Sequence, residues 1–220
     1  MKSNLLCRFT SPIGKKILMA VSGLGLSLFL VLHLSGNLLL YAGPDVFNAY
    51  AEKLQSLGPL LWLARIGLLF ILVLHVTLAI NLSLENKRAR PIRYAYEKTV
   101  QASIASRSMG ITGSFIFLFI CFHLAHYTFR ITNPEIDMIS SKYEMVVTAF
   151  QSPLVSGFYI LSMTVLGLHA WHAVSSLWQT LGINHPFLKK GLHILGPIYG
   201  VLIGAGFAFL PISVLLGILR

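Results

Sequence analysis

The chain has 220 residues, of which 55% are hydrophobic and only 11% charged, with 17 Lys and Arg against 7 Asp and Glu. A soluble domain carries about 25% charged residues, so this composition excludes one and points to helices whose backbone polar groups are satisfied inside a bilayer. The net charge of +10 does not signal nucleic acid, because most of the cations fall in alternate loops between apolar stretches, where they set topology.

Five stretches reach the roughly 20 apolar residues that a bilayer crossing takes: 17–41, 60–84, 108–130, 153–180 and 192–218. The first is too long for the apolar core of a secretion signal and is expected to be retained. No hydrophobic run precedes Cys7, and Cys121 falls inside a span, so the two cysteines build no disulfide framework. The first span carries His33 in LFLVLHLSG. The segment GPDVFNAYAEKLQSLGP follows, with Phe47, Tyr50, Leu54 and Leu57 at helical spacing between Pro44 and Pro59. It reads as an amphipathic helix lying on the outer surface. The second span carries His75 in ILVLHVTLA, and residues 85–107 form the longest and most basic polar stretch.

The third span carries His123 in FICFHLAHY, with His126 and Arg130 following at one-turn intervals on one helix face. Residues 133–152 are expected to form a second outer cap. The fourth span carries His169 in VLGLHAWHA, and His172, Ser176 and Gln179 continue one face towards the opposite surface. The fifth span holds no comparable histidine and contains Pro197 and Pro211, while His185 and His193 flank its start as interfacial surface residues. Nearly all of the chain is used, so 1–220 is a single helical domain. With the N-terminus in the cytoplasm, the Lys and Arg of the N-terminal segment, of residues 85–107 and of the last loop (Lys189 and Lys190) all fall inside. Only Lys53, Arg65, Arg130, Lys142 and Arg220 fall outside, which is the positive-inside asymmetry.

An ionisable side chain at membrane depth is costly and normally has a partner or a task. Four histidines, one in each of the first four spans, imply two pairs. A weak repeat says which. SGLGLSLFLVLH and TGSFIFLFICFH each place a Ser or Thr, a Gly and nine residues before the histidine, whereas His75 and His169 share LH-x-x-x-A. Depth agrees: at 1.5 Å per residue, His33 lies about 26 Å from Lys16 and His123 about 24 Å from Arg107, both at an outer level. His75 lies about 15 Å from Glu85 and His169 about 20 Å from Gly182, both at an inner level.

Two imidazoles per iron is how a protein holds a b-type haem with no axial position left for oxygen or substrate. His33 with His123 and His75 with His169 are therefore expected to ligate an outer and an inner haem iron. Gly23 and Gly113, each about 15 Å on the inner side of its own histidine, fall at the inner haem's level and would admit a flat macrocycle between backbones. Each ligand is expected to bind iron through Nε2 and to donate its Nδ1–H to the carbonyl four residues back, on Phe29, Ile71, Phe119 and Val165. His126 and Arg130 are placed to reach outer propionates or a quinone, and His172 and Gln179 to reach inner propionates. No Asp or Glu lies in the core of a span, which disfavours a proton pump.

With the tetrad placed, the chain resembles the single-polypeptide, dihaem cytochrome b membrane subunit of succinate:quinone and fumarate:quinone oxidoreductases. The likeness rests on SPIGKKILMAVSGLGLSLFLVLHLSGNLLLY, TGSFIFLFICFHLAHYTF and LGLHAWHAVSSLWQTLGINHP. It implies an all-α bundle of five transmembrane helices with two haems b stacked across a bacterial inner membrane. It also implies an iron–sulfur subunit docked on the basic inner face and a flavoprotein subunit carrying FAD beyond it. Electrons would pass between those subunits and membrane quinone (menaquinone), the dicarboxylate site lying outside this chain, and the whole complex could associate as a dimer or trimer. The chain departs from some relatives in having Gly167 and Leu168, not an acidic residue, just before His169. Another quinone-linked dihaem cytochrome is the nearest alternative, although the type that places two ligands on one helix is disfavoured here. A haem-free transporter with buried histidines is the alternative of a different class.

Overall fold

The computed structural model describes residues 11–89, 107–131, 139, 141–183 and 186–220; His185 and the side chain of His193 lie outside that description, as do 90–106 and 132–138. The described residues are helical and include no strand. Among the described residues seven α-helices follow one another: α1 Pro12–Leu38, α2 Pro44–Ser56, α3 Pro59–Ala89, α4 Met109–His123, α5 Lys142–Gln151, α6 Pro153–Thr180 and α7 Pro186–Leu215. Five are long and apolar enough to cross a membrane, over Pro12–Ala42, Pro59–Ala89, Met109–Thr128, Pro153–Thr180 and Ile194–Leu215. Each window expected from the sequence therefore has its helix, with ends displaced by a few residues.

Local chemistry sets the starts. Ser11 caps α1 by accepting from the Gly14 N–H at 3.1 Å, and Pro12 opens the helix where no donor is needed. Proline also stands in the first turn of α2 and of α6. Ser141 caps α5. Gly43 joins the first span to α2 with φ 97°, a left-handed conformation that glycine adopts without steric cost.

The two short helices lie at the same end of the bundle. Asn48 of α2 donates to Ser141 Oγ (3.1 Å) and accepts from the Tyr143 N–H (3.0 Å), which ties it to α5. Both segments expected to form caps thus carry a helix in their described parts. Phe47, Tyr143, Val147 and Phe150 carry the main apolar cluster into that end, where it continues through Phe119, Tyr159, Phe207 and Leu210. At the opposite, basic end, Lys15 of α1 forms an ion pair with Glu85 of α3. A cavity of about 320 Å³ there is lined by Ile13, Lys16, Ile17, Gln179 and Thr180, from the start of α1 and the end of α6.

Helix neighbours decide what can meet in the middle. α6 packs most closely on α7; α1 packs on α3, α6 and α7; α4 packs on α6. No extended contact joins α1 to α4, or α3 to α6. Among the described residues α3 and α4 likewise share no extended contact, so the packing order is α3–α1–α6–α4 and each of those two diagonal pairs skips one helix.

Candidate functional site: two diagonal histidine pairs

His33 on α1 and His123 on α4 meet across one diagonal, with ring centroids 6.0 Å apart and planes at 81°. Metal–imidazole bonds run about 2.0–2.1 Å, so two imidazoles on opposite sides of one metal hold their centroids about 6 Å apart. The observed separation is compatible with that, on helices that are not packed on each other. Phe29 stacks on His33 at 5.2 Å, Phe207 of α7 approaches it at 5.6 Å, and Phe119 approaches His123 at 5.8 Å. The fifth spanning helix therefore touches this pair through an apolar ring.

His75 on α3 and His169 on α6 stand on the other two histidine-bearing helices. Their surroundings are near copies. A Cβ added to Gly23 would stand 3.3 Å from His75 Cε1, and one added to Gly113 would stand 3.3 Å from His169 Cε1. Immediately before each glycine, a hydroxyl meets the ring: Ser22 Oγ lies 3.0 Å from His75 Nδ1, and Thr112 Oγ1 lies 3.1 Å from His169 Nδ1. The two glycines thus lie at the level of the histidines of the other diagonal, as the depth arithmetic places them.

The hydrogen-bond partners differ from the expected ones. The carbonyls of Phe29, Ile71, Phe119 and Val165 are not what the four Nδ1 atoms face. His75 and His169 face Ser22 and Thr112 on neighbouring helices. His123 Nδ1 lies 3.2 Å from the Tyr159 hydroxyl, and His33 Nδ1 lies 3.5 Å from Asn37 Nδ2. A carbonyl four residues back already accepts from its own helix ladder, whereas a side-chain hydroxyl on a neighbouring helix has lone pairs to offer. Sequence reasoning passed over Tyr159 and Asn37. The Ser-Gly and Thr-Gly dipeptides were visible as a repeat, and the repeat was the signal for Ser22 and Thr112.

His126 is buried, at 2% exposure, and its Nδ1 lies 3.1 Å from the same Tyr159 hydroxyl that meets His123. It sits in a π-helical turn, Leu124–Thr128, of the kind that recurs at functional positions. The helix ends there, so the expected continuation of one face through His123, His126 and Arg130 does not hold. Arg130 has φ 56° and its Nη1 donates to the Ile139 carbonyl at 3.4 Å. Its charge, after burial, lowers the affinity of the nearby Lys142 ammonium for its proton. His172 is half-buried near His169, and Gln179 lines the cavity beside Lys16.

Among the described residues no three His, Cys, Asp or Glu side chains come together. A metal held by protein donors alone would need such a set. A porphyrin brings four nitrogens of its own and asks the protein for two axial ligands, and two neutral imidazoles per level match that requirement. The donor chemistry, the 6.0 Å separation and the paired glycines all fit haem. Comparison with family models, curated proteins and solved structures finds no match for this chain.

Proposed function

We propose that this chain is a dihaem cytochrome b, the membrane-anchor subunit of a succinate:quinone or fumarate:quinone oxidoreductase. It would pass electrons between an iron–sulfur subunit and membrane quinone. The observation that supports this reading is the meeting of His33 and His123 across helices that share no extended contact, beside two matched hydroxyl–glycine settings around His75 and His169. A haem b bound by two imidazoles supplies one-electron chemistry at an iron whose axial positions are both filled.

The chain's residues would divide the work. His33 and His123 hold the level nearer the caps, and His75 and His169 the level nearer the basic end. Gly23 and Gly113 keep side chains out of the space beside the second pair. Lys16 and Gln179, in the cavity between α1 and α6, would be available to the carboxylates of a haem held by that pair. His126, Tyr159, Arg130 and Lys142 form the polar group near the capped end. The basic end, with Lys15, Lys16, Lys87, Arg88 and Arg107, would face the cytoplasm of a bacterial inner membrane and receive the iron–sulfur subunit, with the FAD-carrying flavoprotein beyond it.

A reduced-minus-oxidised spectrum of the purified protein tests the first half, and two b-type haems per chain are expected. Copurification with a flavoprotein and an iron–sulfur protein tests the second half. No b-type signal would leave a haem-free transporter as the better account, and a different dehydrogenase partner would reassign the complex. A second outcome follows from packing. Gly23→Leu drives a branched side chain into the His75 ring and is expected to lower occupancy of the second haem, although α1 ligates the first. Selective loss of the first haem would refute the role given to the glycine.

A further inference from the structure

The Ser-Gly and Thr-Gly dipeptides do more than repeat, because each brings a hydroxyl to an imidazole nitrogen. A serine or threonine hydroxyl has a single proton to donate and lone pairs with which to accept. Ser22 Oγ donates to the Met19 carbonyl at 3.0 Å. Thr112 Oγ1 donates within its own helix to the Ser108 carbonyl at 3.0 Å, with the Met109 carbonyl at 3.3 Å. With that proton turned to the carbonyl, each oxygen offers its lone pairs to the imidazole beside it, and a ring that donates Nδ1–H to it leaves the lone pair of Nε2 bare.

We propose that Ser22 and Thr112 are positioning residues that lock His75 and His169 in the metal-binding tautomer and set the reduction potential of the haem between them. This rests on the dihaem reading above. An acceptor on Nδ1–H makes the imidazole a stronger donor through Nε2. Stronger donation favours the ferric state, one of the levers by which a protein tunes haem potential. The adjacent Gly23 and Gly113 let the Cε1 edge of each ring reach the hydroxyl, so hydroxyl and glycine act as one two-residue cradle. The cradles stand on α1 and α4, which themselves carry His33 and His123, so each of these helices serves both levels. At His123 the partner is instead a tyrosine hydroxyl shared with His126, while the Asn37 amide near His33 donates to the His33 carbonyl at 2.7 Å. The two haems are therefore tuned by separate groups.

The test is a potentiometric titration of the whole protein carrying Ser22→Ala, Thr112→Val, or both. The double variant is expected to raise the midpoint of one haem only. At the wild-type midpoint, its reduced-to-oxidised ratio is expected to rise about tenfold, which is 59 mV for a one-electron couple. The other haem serves as an internal control. Thr112→Val keeps the volume of threonine, so it reports on the hydrogen bond even if the double variant folds poorly. Thr112→Ser and Ser22→Thr keep a hydroxyl and are expected to restore the wild-type value. An unchanged midpoint in Thr112→Val with both haems bound, or a Thr112→Ser variant as altered as the valine one, overturns the proposal. Absence of b-type haem from the wild-type chain overturns the dihaem reading itself, a result that is plainly distinct from either.

Discussion

His75→Ala is expected to halve the haem content of the chain and leave the remaining haem close to its native spectrum. The reason is geometric. His75 meets Ser22, whereas the ring contacts of the His33–His123 pair come from Phe29, Phe119, Phe207, Tyr127 and Tyr159. The two sets of residues are separate. Removing one of two axial ligands takes away half of the protein's hold on an iron. His169→Ala is expected to match His75→Ala, and His33→Ala to match His123→Ala. The measurement is pyridine-haemochrome stoichiometry with low-temperature difference spectra, in which the two classes of variant lose different components. If His33→Ala removed the same component as His75→Ala, the diagonal pairing would be wrong. If a single alanine removed both haems while the helical content stayed native, the two levels would not be independent sites.

Much of this architecture is legible in the sequence because two simple periodicities carry it. Apolar length gives the five spans, and the rise per residue gives the depth of each histidine, which needs no knowledge of helix neighbours. What the sequence hides depends on contacts between distant segments. Ser22 and His75 are 53 residues apart, and Thr112 and His169 are 57 apart, so nothing local announces that a hydroxyl rather than a carbonyl faces the ring. The π turn at Leu124–Thr128 is similarly silent, since LAHYT contains neither Gly nor Pro. It accompanies the close packing of His126 and Tyr127 against Tyr159 of α6, at 5.9 and 6.0 Å between ring centroids. Helix α3 continues to Ala89 rather than stopping near residue 84. Charged residues end the apolar run there, but Lys and Arg are good helix formers and no breaker intervenes.

The feature of α7 least evident from its composition carries the second large effect. Gly196, Gly200 and Gly204 recur every four residues and so share one face. Every one of them lies against the backbone of α6. A Cβ at Gly200 would stand 2.5 Å from the Gly167 carbonyl oxygen, and one at Gly204 would stand 3.0 Å from the Met163 carbonyl. At Gly196 it would lie 2.7 Å from the Trp171 carbonyl. Close backbone approach through small residues is how helices associate in lipid, where burial of apolar surface supplies no drive. At Gly200 and Gly204 the nearest obstacle is backbone, not a mobile side-chain tip, so even one methyl forces the helices apart. Gly200→Ala is expected to cost about 1–3 kcal/mol, the usual range for overpacking, and Gly200→Leu more. Both are expected to lower the thermal unfolding midpoint of the detergent-solubilised protein by several degrees. Gly157→Ala on α6 is the control, because nothing lies within 4 Å of its added Cβ; there, alanine is expected to be neutral or to stabilise by up to about 1 kcal/mol through helix propensity. Gly167 precedes His169 by two residues, so the Gly200 variants are also expected to disturb the His75–His169 level before the other. Equal midpoints for Gly200→Leu and Gly157→Ala would mean that α6 and α7 are not held by backbone contact.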